Sequence, residues 1–181
     1  WYNLILMNFK SISFYLSLFC FPISFLAFIN ILYASYFDYL LSIDTYFIAL
    51  LTSLFIGGGL WYFGKNAPKN IDFIEQLILI ISAYLLTSIL IAIPFYLSNY
   101  QVTLLNSIFE SVSGLTGTGF STFKNIKYLD PTLILWRSSS QWIGGLFFLI
   151  LIFSNKSFNY KMTNLTFSGD SNFKSKENIK D

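Results

Sequence analysis

The sequence predicts an all-α integral membrane protein, and two observations lead to that fold class. Charged residues make up 11% of the 181 residues, and hydrophobic residues make up 55%. A soluble domain carries roughly a quarter of its residues as Asp, Glu, Lys and Arg, so this chain has too little charge for a water-facing surface. Long apolar segments also recur along the chain, and the mean hydropathy is +0.60. The chain therefore belongs in lipid.

Four segments reach the length of about 20 residues that a helix needs to cross the hydrocarbon core. They are apolar runs bounded by polar residues, and they cover residues 11–34, 45–64, 71–97 and 131–153. Pro131 suits the first turn of the fourth helix, where a missing N–H breaks no hydrogen bond. After residue 154 the chain is polar and rich in Lys, Asn and Ser, which predicts a loop or a disordered tail.

The distribution of lysines predicts the orientation of the four segments. If the segments alternate in direction, one side of the membrane holds most of the lysines, namely residues 10, 65, 69, 156, 161, 174, 176 and 180. Cytoplasmic loops carry an excess of Lys and Arg. We therefore expect both termini in the cytoplasm, with residues 98–130 on the outer side of the cytoplasmic membrane.

The outer stretch contains a short amphipathic segment followed by a Gly/Thr-rich loop. Apolar residues at helical spacing occupy one side of residues 103–115, serines occupy the other, and Thr103 is a plausible N-cap. About a dozen residues are too few to span a membrane and suit a re-entrant helix. The order is thus long helix, short helix, loop, long helix.

The loop Thr116-Gly117-Thr118-Gly119 has the composition of an ion-coordinating backbone. A cation inside a membrane must recover the free energy of its lost hydration shell, and rings of backbone carbonyls can provide it. Gly117 and Gly119 allow backbone conformations that a Cβ atom disfavours. The threonine hydroxyls can add oxygen ligands or pack the loop from behind. The negative end of the short helix would face the ion.

Several other classes of function are excluded or disfavoured by what the sequence contains. It has no histidine and a single cysteine, which removes His/Cys zinc sites, Ser-His-Asp triads and internal disulfides. Its net charge of +2 is too small to indicate a nucleic-acid partner. No Gly-Lys-Ser/Thr follows the glycines, so a phosphate-binding loop is disfavoured. We expect neither enzymatic activity nor an organic cofactor.

The run from Phe109 to Thr122, FESVSGLTGTGFST, resembles the first pore loop of the TrkH/TrkG/KtrB superfamily of potassium transporters. Downstream, Leu135-Trp136-Arg137-Ser138 and Gln141-Trp142-Ile143-Gly144-Gly145 resemble the start of that family's following helix. The resemblance implies an N-terminal transmembrane helix pair at residues 1–66 and one helix–pore loop–helix repeat at 67–155. Residues 156–181 are then a polar cytoplasmic tail or the start of a further segment.

The resemblance also implies an activity and its partners. Members take up K⁺ through a pore built from four such repeats, form homodimers, and are gated by a cytoplasmic nucleotide-binding subunit of the TrkA/KtrA type. By the match, the carbonyls of Gly117 and Thr118 would bind K⁺, and Thr116 and Gly119 would complete the selectivity filter. Many family loops carry Thr or Ala at the position of Gly117, which leaves the selectivity of this loop open.

Four residues around the loop are expected to support the filter or the pore mouth: Glu110, Ser113, Phe120 and Arg137. Glu110 can hydrogen-bond groups behind the loop or add negative potential at the outer mouth. Arg137 can extend outward from its helix or pair with Glu110 or Asp130. The aromatic residues Trp61, Tyr62, Trp136 and Trp142 are expected at the membrane interfaces. The triplet Gly57–Gly59 and the pair Gly144–Gly145 are expected to let helices approach closely.

Alternatives remain open at this stage. One repeat cannot enclose a pore, so the chain is either a piece of a longer protein, as a start at Trp1 suggests, or one of four assembling copies. A sodium or non-selective cation conductor of the same fold would have a similar sequence. A non-transporting membrane scaffold or assembly subunit is the alternative from another class.

Overall fold

This computed structural model describes residues 8–68 and 71–154, and all regular structure within them is helical. The elements are α1 (Phe9–Tyr36), α2 (Leu40–Gly64), α3 (Phe73–Tyr96), α4 (Leu104–Leu115), a 3₁₀ turn (Ile126–Tyr128) and α5 (Pro131–Ser154). The predicted order of long and short helices is therefore confirmed, with boundaries within a few residues. The predicted tail at 156–181 lies outside the described residues.

Three of the four predicted membrane spans are confirmed by length and composition. Within the described residues the helices that qualify are Phe9–Tyr36, Ile43–Gly64 and Ile74–Tyr96. Helix α5 has 24 residues but is not among them. Its first half carries Arg137, three consecutive serines and Gln141, which lower the hydropathy of that half. That α5 crosses the membrane stays a prediction, as does the division at residues 66 and 155.

The chain divides into two compact units, Trp1–Phe147 and Phe148–Asp181. The helix contacts and the Gly/Thr loop belong to the first. Within it, the starts of α1 and α3 are joined by one buried carboxylate. Glu75 Oε1 accepts a hydrogen bond from the Asn8 amide at 2.7 Å, and Oε2 accepts one from the Asp72 amide at 3.0 Å. Glu75 thus occupies two of the N–H groups that helix starts leave unpaired.

Helices α1 and α2 approach closely where α2 carries glycine. A Cβ atom added to Gly57 would lie 2.9 Å from Cys20 Cβ, and one added to Gly64 would lie 2.5 Å from the Phe14 backbone nitrogen. Ser13 Oγ also donates to the Leu60 carbonyl at 3.1 Å across this contact. Packing of small residues drives helix association in lipid, and Gly57 confirms that expectation. Gly58 and Gly59 do not, because an added Cβ would meet nothing within 4 Å.

We expect Gly64→Ala to destabilise the protein by about 1–3 kcal/mol, because its methyl group would collide with α1 backbone, which cannot rotate away. Gly59→Ala is the matched control on the same helix, since its methyl group would enter open space. Thermal unfolding in detergent micelles measures both. Equal unfolding temperatures for the two variants would contradict the α1–α2 contact described here.

Trp136 is a correction to the sequence-based expectation. It was predicted at a membrane interface, but it is fully buried. Its indole Nε1 donates to the Ile91 carbonyl on α3 at 3.0 Å, and its ring lies 5.7 Å from that of Tyr46 on α2. A buried indole needs a partner for its N–H. The carbonyl of Ile91 provides that partner, so Trp136 joins α5 to α3 instead of anchoring to lipid headgroups. Trp61 and Trp142 are exposed, and their position at a membrane interface stays a prediction.

Candidate ion-binding loop

Helix α4 turns its polar side inward and its apolar side outward. Ser107, Glu110, Ser111 and Ser113 are buried, whereas the exposed fractions of Leu104, Leu105, Phe109 and Val112 are 60%, 76%, 45% and 42%. This is the reverse of a helix on a water-soluble protein. Thr103 caps the helix as predicted, since its Oγ1 accepts a hydrogen bond from the Asn106 amide at 3.3 Å. The apolar side suits lipid or another helix, and on the buried side Ser113 and Glu110 contact the loop and the residues after it.

The Gly/Thr loop begins as the C-terminal cap of α4. The Gly117 amide donates to the Gly114 carbonyl at 3.0 Å, and Gly117 has φ +70°. This bond and this left-handed glycine are features of a common way to end a helix. The Thr116 amide donates to the Val112 carbonyl at 2.9 Å, and the Gly119 amide to the Ser113 carbonyl at 3.5 Å. Three loop amides therefore close the end of α4.

The capping bonds determine where the loop carbonyls point. In a trans peptide the C=O and N–H groups point in opposite directions. Because the Gly117 and Gly119 amides point toward α4, the carbonyls of Thr116 and Thr118 point away from it. Within residues 8–68 and 71–154, no donor reaches the carbonyl oxygens of Thr116, Gly117 or Thr118. Gly119 also has a positive φ, +78°.

The threonine hydroxyls fold back onto α4. Thr116 Oγ1 donates to the Val112 carbonyl at 2.8 Å. Thr118 Oγ1 lies 3.2 Å from Ser113 Oγ and 3.3 Å from the Ser113 carbonyl. Of the two roles that the sequence allowed these hydroxyls, the structure shows the packing role. The unpaired oxygens of the loop are those of its backbone.

Glu110 lies behind the loop and binds the segment that follows it. Its side chain has no exposed surface, and its Oε1 accepts hydrogen bonds from the Ser121 hydroxyl at 2.8 Å and the Thr122 hydroxyl at 3.0 Å. The Thr122 amide donates to the same oxygen. Hydrogen bonds to a charged acceptor are stronger than neutral ones. The Glu110 carboxylate, on the helix before the loop, therefore holds the segment that follows the loop in place.

Arg137, on α5, holds the other side of the loop. Its Nη2 donates to the carbonyls of Gly119 at 3.0 Å and Phe120 at 2.9 Å. Its Nε lies 3.1 Å from Glu110 Oε2, an ion pair whose geometry falls outside that of a hydrogen bond. Of the roles open to Arg137, the structure shows pairing with Glu110 and not outward extension. The Gly119 carbonyl is accordingly bound within the protein, unlike the three carbonyls before it.

Ser113 and Phe120 act through one hydrogen bond. Ser113 Oγ donates to the Phe120 carbonyl at 2.6 Å, and the Phe120 ring itself is 72% exposed. Sequence reasoning gave no role to Ser121 and Thr122. The sequence feature that could have indicated a role for them is a pair of hydroxyl residues shortly after the loop, which can donate hydrogen bonds to an acidic residue such as Glu110. Sequence reasoning also did not predict that the buried side of α4 is its polar side.

Helix α5 meets the end of α4 at two glycines. A Cβ atom on Gly144 would lie 1.9 Å from the Leu115 carbonyl oxygen, and one on Gly114 would lie 2.2 Å from Ser140 Oγ. Gly144 thus confirms the expected close approach, and Gly145 does not, because its surroundings are open. The backbone of α5 is in van der Waals contact with the residue that precedes the loop.

Comparison with known proteins agrees with this architecture. A family described as "TrkH: Cation transport protein" matches residues 42–167, which is well over half of the chain and includes α4 and the loop. The chain belongs to the TrkH family of cation transport proteins. This TrkH-family chain is an integral membrane protein, and its family is one of transporters, in agreement with the expectation that it is not an enzyme.

Individual relatives each match a part of the TrkH-family chain. An uncharacterized cation transporter of Methanocaldococcus jannaschii is 36% identical over 84 residues, 46% of this chain and 18% of that protein. The Trk system potassium uptake protein TrkG of Escherichia coli is 31% identical over 111 residues, 61% of this chain and 23% of that protein. TrkH of the same organism is 29% identical over 109 residues, 60% and 22% respectively. The matches span about a fifth of the relatives' length. No solved structure matches the chain.

Proposed function

We propose that this chain takes part in K⁺ uptake across the cytoplasmic membrane and that its 116–119 loop forms one quarter of a selectivity filter. The observation that carries the proposal is the pair of carbonyls at Thr116 and Thr118 that point away from α4, with the unpaired Gly117 carbonyl between them. All three belong to a loop that is held from behind by Glu110 and Arg137.

The chemistry of such a loop suits a permeating cation. Neutral carbonyl dipoles replace hydration water without binding the ion so tightly that it cannot leave. Irregular backbone at membrane depth persists only when it is buried in protein or lines water. Here three of the four loop amides bond to the end of α4, and the Gly119 and Phe120 carbonyls bond to Arg137. Gly119 provides the positive φ at the end of the loop, and its own carbonyl accepts a hydrogen bond from Arg137.

One loop surrounds only a quarter of a pore, so three further repeats, in the same polypeptide or in other copies, complete it. The exposed apolar side of α4 would then contact those repeats or lipid. The names of TrkG, TrkI and TrkH as potassium uptake proteins support K⁺ as the transported ion. A homodimer, a TrkA/KtrA-like cytoplasmic regulator and cytoplasmic termini remain parts of the proposal.

Gly119→Ser tests the filter assignment. At φ +78° a side chain strains the backbone by about 1–2 kcal/mol, and an added Cβ would meet nothing within 4 Å. The effect is therefore conformational and confined to the loop. In a potassium-uptake-deficient cell expressing the complete gene, we expect Gly119→Ser to reduce rubidium uptake and to lower the preference for Rb⁺ over Na⁺.

Gly58→Ser is the matched control, since it adds the same side chain to open space on α2. Unchanged rubidium uptake and selectivity in Gly119→Ser would end the filter assignment and favour a non-transporting scaffold. Uptake of Na⁺ by the unmodified protein at the rate of Rb⁺ would replace potassium by a non-selective or sodium conductance.

A further inference from the structure

Trp136 and Arg137 are consecutive residues of α5 whose side chains reach different parts of the protein. Neighbouring residues of a helix point about 100° apart. The Trp136 indole reaches α3, where its Nε1 donates to the Ile91 carbonyl at 3.0 Å. The Arg137 guanidinium reaches the end of the loop, where it binds two backbone carbonyls. One turn of α5 therefore connects α3 to the loop.

The Trp136 end of this connection is enclosed by protein. The side chain has no exposed surface, and its ring packs against that of Tyr46 on α2. The Ile91 carbonyl lies in the turn of α3 that contains Pro94. A proline has no N–H, so the backbone of this turn has one hydrogen bond fewer than a regular helix. The indole N–H thus adds a bond to a part of α3 that is held less completely by its own backbone.

The Arg137 end is sensitive to small displacements of α5. Its bonds to the two loop carbonyls are 3.0 and 2.9 Å long, and a shift of about 0.6 Å along them would bring both to the limit of a hydrogen bond. The planar guanidinium cannot easily follow such a shift, because its Nε also lies 3.1 Å from Glu110 Oε2.

The close contact at Gly144 does not by itself fix this part of α5. It holds α5 against the end of α4, but it lies seven residues after Arg137, about 10 Å along the helix. The first two turns of α5 are therefore placed by other contacts, and the hydrogen bond of Trp136 is one of them.

We infer that Trp136 is a positioning residue for the loop. Its hydrogen bond to α3 holds the first turns of α5 at the place from which Arg137 binds the Gly119 and Phe120 carbonyls. Trp136 provides no ligand and acts on ion selectivity through Arg137. The effect on selectivity rests on the proposed function of the loop, whereas the effect on the order of the loop does not.

Replacing Trp136 by β-(3-benzothienyl)alanine, introduced at an amber codon in the complete gene, exchanges the indole N–H for sulfur and keeps the shape of the ring. We expect the preference for Rb⁺ over Na⁺ to fall by about threefold, the size of a weak neutral hydrogen bond. A purely structural role would lower the amount of folded protein, and the uptake of both ions would then fall by the same factor. The same replacement at Trp142, exposed on the same helix, is the matched control and should leave the preference unchanged.

A double variant shows whether Trp136 acts through Arg137. Arg137→Lys keeps a positive charge opposite Glu110 but lacks the planar fork that binds two carbonyls, so we expect it to lower the selectivity by itself. Adding the Trp136 replacement to Arg137→Lys should then change the selectivity little, because residues that act through one contact have non-additive effects. The same fold-change with and without Arg137→Lys would overturn the inference.

Amide hydrogen exchange in detergent measures the order of the loop without any transport. The Gly119 and Thr122 amides are both hydrogen-bonded within the protein. We expect the Trp136 replacement to speed their exchange severalfold and the Trp142 replacement to leave it unchanged. Faster exchange, together with unchanged selectivity in Gly119→Ser, would keep Trp136 as a positioning residue and reject the filter assignment. Unchanged exchange in the Trp136 variant would show that the N–H bond serves only to satisfy a buried indole, and would overturn the inference.

Discussion

Glu110→Gln is expected to destabilise the protein by about 3–5 kcal/mol, the usual effect of removing one partner from a buried ion pair. Gln keeps the shape of Glu and an oxygen that can still accept from Ser121 and Thr122, so the variant removes mainly the charge. Arg137, whose side chain is 10% exposed, would then be a buried cation without a counter-charge. We expect a lower unfolding temperature in detergent and a loss of rubidium uptake and selectivity together.

Glu75→Gln is the control for Glu110→Gln. Glu75 is also buried and accepts two hydrogen bonds, both from backbone amides, but within the described residues it has no Lys or Arg partner. Its replacement should have a clearly smaller effect on stability. Combining Glu110→Gln with Arg137→Gln removes both charges and should recover part of the stability. The double variant should not recover the selectivity, because the Gly119 and Phe120 carbonyls lose their hydrogen bonds from Arg137. Equal destabilisation by Glu75→Gln and Glu110→Gln would show that the ion pair contributes little.

Gly144→Ala is expected to be the most damaging small substitution in the described helices. Its methyl carbon would lie 1.9 Å from the Leu115 carbonyl oxygen, and both groups in this collision are backbone-fixed. Overpacking usually destabilises by about 1–3 kcal/mol, and a contact this short between two helices lies at or above that range. Because Leu115 directly precedes the loop, we expect rubidium uptake to fall even in protein that still folds.

Two further glycine variants give a reference for the size of the Gly144→Ala effect. Gly145→Ala adds the same methyl group to open space and should be neutral or slightly stabilising, since Ala favours a helix over Gly by about 1 kcal/mol. Gly114→Ala should be intermediate, because the atom it meets, Ser140 Oγ, belongs to a side chain that can rotate. A Gly144→Ala protein with the unfolding temperature and uptake of Gly145→Ala would disprove the α4–α5 contact.

The sequence predicted the order of helices because that order depends on local features. Apolar length fixed α1, α2 and α3, Thr103 marked the start of α4, and Pro131 marked the start of α5. Each of these signals acts within a few residues of the position that it determines. They were sufficient to place the Gly/Thr loop between α4 and α5, on residues that the structure leaves with unpaired carbonyls.

The support around the loop could not be predicted in the same way, because it depends on which helix faces come together. Periodicity showed that α4 has a serine side and a leucine side, but in a bilayer either side can face the protein. The Glu110–Arg137 contact joins α4 to α5, and Trp136 turned inward because the Ile91 carbonyl was within reach. A small cavity lined by Tyr46, Pro94 and Thr132 likewise combines residues from α2, α3 and α5, which no local pattern relates.

The loop amides that cap α4 also determine how the proposed filter would bind an ion. The conformation at Thr116, Gly117 and Gly119 is set by the way a helix ends and by protein hydrogen bonds, none of which includes an ion. An arriving cation would therefore meet oxygens already in position and would spend little of its binding free energy on ordering the chain. In the proposed filter, such a preorganised receptor would discriminate by fit, since it would not readily collapse around a smaller ion.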